Sequence, residues 1–250
     1  MTGADLSGRV AVVTGARRGI GAAIAQVLLA HGASVVACGR SVPDMEAFAD
    51  SMRPHGTCLP FGGDLLHDDA RARLLELVPS VDILVNNAGG FVDAFTAADC
   101  PADEWQAQLD ANLTLPFRLI QTVLPSMTAK RWGRIINVGS VVATTPQVGN
   151  SIAYVAAKAG LLGLTKQVAL EVAAFGVTVN IVNPGAILTE HLQDYFDSST
   201  VTEQDLAARI PVGRLGQPNE IAAIIPFLAS EAGAYTTGSS IDVNGGVIHA

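Results

Sequence analysis

The chain has 250 residues, 49% of them hydrophobic and only 5% aromatic, which is enough material for a full core in one α/β domain. Its formal charge of −8, with no basic block to offset it, argues against nucleic acid and anionic membranes as partners. No apolar run reaches the ~18 residues of a spanning helix, and the greasiest stretch, Ile221 to Ala229, is short and broken by Pro226.

Short β-branched runs alternate with longer Ala/Leu-rich stretches. In chain order, strands are predicted at Val10–Thr14, Ser34–Ala37, Thr57–Phe61, Ile83–Asn86, Ile135–Val138, Val177–Val182 and Ser240–Val243. They are apolar on successive residues, as strands covered on both faces must be. Helices are predicted near 20–31, 67–78, 103–130, 152–175, 202–209 and 218–230. This alternation implies βαβ crossovers and a single-domain, Rossmann-type doubly wound parallel sheet over 1–250, flanked by helices on both faces. The stretch Ser151 to Phe175 carries few polar positions. A helix apolar nearly all round must be buried nearly all round. One face can cover the sheet, and the other needs either a second subunit, hence a homo-oligomer (dimer or tetramer), or the chain's own loops.

Three widely spaced cysteines (Cys38, Cys58, Cys100) lack a CxxC, and five histidines show no paired spacing. Reduced thiols and no catalytic metal are expected. Met1 to Gly8 has no basic patch followed by an apolar core, so a cytoplasmic location is expected.

Val10 to Thr14, a turn containing Gly15, Gly19 and Gly21, and the run from Ile20 read as strand, turn, helix. Such glycines let the backbone approach a pyrophosphate, whose charge the helix N-terminus favours. At the end of the second strand an NAD-binding chain would carry a carboxylate on the ribose hydroxyl. Here the residues are Ala37-Cys38-Gly39-Arg40-Ser41. Arg40, helped by Arg17 or Arg18, suits a 2′-phosphate, so NADP(H) is expected over NAD(H). Tyr154 and Lys158 lie four apart on one helical face. A neighbouring ammonium favours the phenolate, so the lysine is expected to lower the tyrosine's pKa towards neutrality. Gly139-Ser140 closes the apolar run Arg134 to Val138 fourteen residues upstream.

With these residues together, the chain resembles the short-chain dehydrogenase/reductase family in its common 250-residue form. The likeness runs from about Gly8 to Gly246 and rests on Thr14 to Gly21, Asp64-Leu65, Asn86-Asn87-Ala88-Gly89, Asn112, Ser140, Tyr154 with Lys158, and Pro184-Gly185 with Thr189. The resemblance implies Tyr154 as general acid/base, Lys158 on the nicotinamide ribose, and Ser140 donating to the substrate oxygen. It implies that Asn112 positions a water, although a helix-interior amide satisfied by backbone is the plain alternative. Asp64 and Leu65 would flank the adenine, Asn87, Ala88 and Gly89 the ribose, and Pro184, Gly185, Ile187 and Thr189 the nicotinamide. Enoyl-reducing members separate the tyrosine and lysine by six residues rather than three, so ketone/secondary-alcohol interconversion is the expected reaction.

A substrate lid is expected over about 188–213, the least regular segment, with His191, Leu192, Tyr195 and Phe196. Gly90 to Phe95 and Val141 to Val148 would form the other walls. The blocks Gly139 to Val142, Val212 to Gly216 and Val243 to Gly246 resemble the 3-oxoacyl-carrier-protein reductases. Members of that group dock an acidic carrier through basic residues. Arg131 matches one such position, but Phe175 stands at the other. The alternatives are therefore a small ketone/alcohol substrate, a carrier-linked 3-oxoacyl group, or a non-catalytic dinucleotide-sensing protein.

Overall fold

The computed structural model describes residues 4–90, 93–146 and 149–247; Phe91, Val92, Gln147 and Val148 of the expected pocket walls lie outside them. Seven parallel strands form one sheet: β1 (Val10–Thr14), β2 (Ser34–Gly39), β3 (Cys58–Gly62), β4 (Ile83–Asn86), β5 (Gly133–Val138), β6 (Val177–Pro184) and β7 (Ser240–Val243). Their order is β3-β2-β1-β4-β5-β6-β7. Strand order therefore reverses between β1 and β4, where Val12 lies opposite Leu84. In an open α/β sheet this is the crevice in which ligands bind.

Successive strand residues serve different layers. Ala11 and Val13 face a core built with Ile24, Leu28, Ile225 and Leu228. Val12 faces the other, with Leu84, Leu119, Val123 and Val179. That two-sided burial explains the unbroken apolar runs, and each fully buried aliphatic side chain contributes about 1.5–3 kcal/mol.

The helices are α1 (Gly19–Ala30), α2 (Val42–Met52), α3 (Asp68–Leu77), α4 (Ala102–Leu109), α5 (Leu115–Lys130), α6 (Ile152–Val172), α7 (Glu190–Ser198), α8 (Glu203–Ala207), α9 (Pro218–Ala222) and α10 (Ile225–Ala229). Two were not expected. Helix α2 follows Arg40 closely; Ser41 caps it, a proline sits in its first turn, and it buries Met45, Phe48 and Ala49. Helix α7 falls inside the segment expected to be irregular and is capped by Thr189. The single helix expected over 103–130 is α4 and α5 joined by a π-turn, Asp110–Thr114. The one expected over 218–230 is two short helices, because Pro226 cannot continue the ladder.

Helix α6 is not wrapped by the chain's own loops. Ala159, Gly163, Lys166 and Leu170 are exposed along one face, Leu170 to 80%. No helix of the described residues is long and apolar enough to cross a membrane.

At the N-terminal ends of the strands, two guanidinium groups lie over the Trp132 ring, Arg9 at 3.6 Å and Arg134 at 4.4 Å from its centroid. Arg134 is 2% exposed, and its Nη2 lies 3.5 Å from the Glu231 carboxylate. Its Nε and Nη1 donate to the carbonyls of Ser230, Gly133 and Gly176. Burial pulls its pKa down and Glu231 opposes that shift. Glu231→Gln strips the charge partner from a buried cation. Because Glu231 is 71% exposed, water screens part of the loss, and the expected cost is about 1 kcal/mol of stability in a urea titration; an unchanged midpoint would contradict this account.

Candidate active site

The crevice is pinned by one side chain. Thr14 Oγ1, at the end of β1, donates to the Val85 carbonyl and accepts from the amides of Asn87 (3.0 Å) and Ala88 (2.9 Å). The Asn87 amide group then donates back to the carbonyls of Thr14 and Gly15. The expected ribose contact Asn87 thus spends its Nδ2 on the glycine turn.

That turn requires its glycines. Gly15 sits at φ +64°, in the left-handed region. A Cβ at Gly21 would lie 2.2 Å from the Gly15 carbonyl oxygen and 2.5 Å from Asn87 Nδ2. Helix α1 starts at Gly19 behind an extended Arg18, without a side-chain cap among the described residues. Its first amides are left for an anion. A Cβ at Gly19 would press on Thr189, 3.1 Å away, so the turn is a cradle closed by the start of α7. Ile20 packs behind it on the core. These residues fit a dinucleotide pyrophosphate.

At the adenosine end Arg40 is exposed, just past β2. Arg17 Nη1 lies 3.0 Å from Asp44 Oδ2 of α2, and Arg18 lies 3.9 Å from Asp194 of α7. The two turn arginines are therefore already facing carboxylates. Asp64 is exposed and accepts from the Leu66 amide, while Leu65 is buried in the core. At the other end, Pro184 finishes β6 and the Gly185 amide donates to the Val243 carbonyl. Ile187 is buried and bridges to Gly216, and Thr189 accepts from the Leu192 amide.

Between these ends lies the tyrosine centre. Ser140 stands two residues past β5, accepting from the Val142 amide at 3.3 Å, and its hydroxyl is hydrogen-bonded to Tyr154. One turn further along α6, Lys158 is buried. Its Nζ lies 5.5 Å from the Tyr154 ring centroid and donates to the Val138 carbonyl at 2.9 Å. Burial pushes the ammonium down to about 8. The expected downward shift of Tyr154 is reversed in this chain alone. Burial disfavours the phenolate and raises its pKa, and only the Ser140 hydrogen bond opposes that.

Asn112, in the π-turn, is completely buried. Its Oδ1 accepts from the Gly90 amide, and its Nδ2 reaches the Gly90 carbonyl and both oxygens of Gln108. The side chain therefore clasps the backbone beyond Gly89. Gln108 was not expected; its Nε2 in turn donates to Glu104. Also unforeseen is a chain beneath Lys158. Asn86 Nδ2 donates to Asn137 (2.8 Å), and Asn137 Nδ2 donates to Thr165 (2.9 Å), joining β4, β5 and α6. The available signal was Asn137 inside an apolar run and Thr165 inside an apolar helix. No group of three metal-ligating side chains occurs among the described residues. Cys38 is buried, and burial lifts Cys58 to about 11, so neither thiol is activated.

A family model described as "Enoyl-(Acyl carrier protein) reductase" matches residues 15–248. A 3-oxoacyl-[acyl-carrier-protein] reductase of Vibrio cholerae is 43% identical over 97% of this chain and 98% of its own. The chain belongs to the short-chain dehydrogenase/reductase family. Among solved short-chain dehydrogenases/reductases, the NADP active-site complex of Pseudomonas aeruginosa RhlG is 35% identical, with TM-score 0.90 over 99% of each chain. An Agrobacterium tumefaciens 3-oxoacyl reductase with NADP bound is 34% identical, with TM-score 0.90 over 97% of this chain and 95% of its own. Three residues separate Tyr154 from Lys158, not the six expected of enoyl-reducing members.

Lys158 has a measurable pH signature. It titrates near 8 folded against 10.5 unfolded, so between those values the unfolded chain holds more protons and stability rises with pH. Relative to Lys158→Met, the wild type is expected to gain about 1–3 kcal/mol across that window in denaturant titrations. A difference independent of pH would contradict the buried ammonium.

Proposed function

We propose that this protein is an NADP(H)-dependent oxidoreductase that interconverts a ketone and a secondary alcohol. The observation that carries this reading is the Ser140–Tyr154 hydrogen bond set one helical turn from the buried Lys158. Bound NADP(H) would supply or accept the hydride. Tyr154 delivers the proton to the carbonyl oxygen in reduction and removes it in oxidation, and Ser140 donates a hydrogen bond to that oxygen. Lys158 holds the ribose and, charged, favours the phenolate form as the proton leaves. Asn112, held at Gly90, positions a water in the proton relay. Gly15, Gly19 and Gly21 cradle the pyrophosphate, while Arg40 with Arg17 and Arg18 meets the 2′-phosphate. Asp64, Leu65, Asn87 to Gly89, Pro184, Gly185, Ile187 and Thr189 line the remaining coenzyme path. The segment 188–213, with α7 and α8, acts as the substrate lid of a single domain.

A carrier-linked 3-oxoacyl substrate is the second reading, favoured by the Vibrio cholerae relative. Against it, Arg131 Nη2 is donated to the Ala174 carbonyl, and Phe175 is exposed beside it where a second cation would dock a carrier. A small ketone is the reading we adopt. The exposed face of α6, with the small Ala159 and Gly163 and the bare Leu170, supports a homodimer or homotetramer, and the unpaired cysteines support a cytoplasmic location.

Tyr154→Phe is expected to lower kcat for ketone reduction about a thousandfold, leaving NADPH affinity within about twofold because the ring and its packing remain. Turnover close to wild type would refute the mechanism and favour a dinucleotide sensor. Reduction of a 3-oxoacyl pantetheine thioester is expected at least as efficient as that of the same group on its carrier protein. A large preference in kcat/KM for the carrier form would establish the second reading instead.

A further inference from the structure

We propose that Asp44 is a specificity-determining residue: as the built-in counter-ion of Arg17, it holds down the advantage that a 2′-phosphate gives NADPH over NADH. The inference rests on the coenzyme reading above. Arg17 reaches the adenosine end from the glycine turn, and Arg40 flanks the same place from the end of β2. Arg40 forms no ion pair with another described residue, whereas Arg17 Nη1 sits 3.0 Å from Asp44 Oδ2.

The carboxylate is held there by its helix. Asp44 lies in the first turn of α2, where its own amide donates to Ser41 Oγ and a proline fixes the turn's backbone. With Arg17 51% and Asp44 44% exposed, the pair faces solvent and meets any phosphate arriving between Arg17 and Arg40. That phosphate carries about −1.5 to −2 charges. It must share Arg17 with a full negative charge that the fold does not remove. NADH places an uncharged hydroxyl at the same point, so Asp44 acts on one coenzyme and not on the other. Asp44 stands five residues past Gly39, inside a helix, and so differs from a carboxylate at the strand's end that accepts directly from the ribose.

The test is a fluorescence titration of NADPH and NADH binding to wild type, Asp44→Asn and Asp44→Ser, at low and high salt. Both substitutions leave the Ser41 cap in place, and thermal melts establish that each variant is folded. Both variants are expected to bind NADPH about fivefold more tightly at low salt, with NADH unchanged within about twofold. The gain should vanish near 0.5 M salt, where the screening length is about 4–5 Å. Equal shifts for both coenzymes, or weaker NADPH binding by both variants, would overturn the proposal; the latter would mean that Asp44 presents Arg17 to the phosphate rather than competing for it. A wild type that binds neither coenzyme would overturn the coenzyme reading itself. Because the inference is judged on the change in the NADPH/NADH ratio, the two failures are distinct.

Discussion

The site depends on one buried cation and the carbonyl it rests against. An ammonium removed from water costs several kcal/mol unless hydrogen bonds replace its hydration. Lys158 donates such a bond to the carbonyl of Val138, the last residue of β5. The carbonyl is fixed because β5 is paired along its length with β4 and β6. The donor is fixed because Asn137 ties the same strand to Thr165, two turns further along α6. Tyr154, one turn earlier on that helix, inherits its place from this lock and meets Ser140 across the crevice. The chemistry is thus held by a strand end and a helix, with the loop between them supplying only the serine.

The coenzyme half is built on the same plan at the other side of the strand reversal. Thr14 joins β1 to the residues that follow β4, so the glycine turn and the wall at Ala88 form one rigid piece. Asn87 completes it by bonding to the turn from the opposite strand. The two halves meet through the Asn86–Asn137 bond between β4 and β5. A short polar seam inside an otherwise apolar sheet therefore sets the distance from pyrophosphate cradle to tyrosine.

Much of this was legible in the residues. Strands covered on both faces announce themselves by unbroken β-branched runs, and all seven were readable, including the short β7. The glycine turn was legible because only glycine fits at Gly21. Helix α2 was not expected, although Met45, Phe48, Ala49 and Met52 fall at helical spacing; that stripe, with the Ser41 cap and a proline and Asp44 behind it, was its signal. The π-turn left no periodic trace, since one widened turn between α4 and α5 shifts the apolar phase without ending the helix. The direction of the tyrosine's shift was also illegible. Spacing shows that an ammonium is near, but not that burial opposes the phenolate more strongly. Asn112 shows the same limit: its place in the site could be read, whereas its clasp on Gly90 required a partner twenty-two residues away.

The stack of Arg9, Trp132 and Arg134 lies at the strand ends remote from the tyrosine. Glu231, immediately past α10, closes it. Cohesion and chemistry therefore occupy opposite poles of the sheet. Mutational drift at the mouth can retune what the enzyme accepts without touching the rivet that fastens its base.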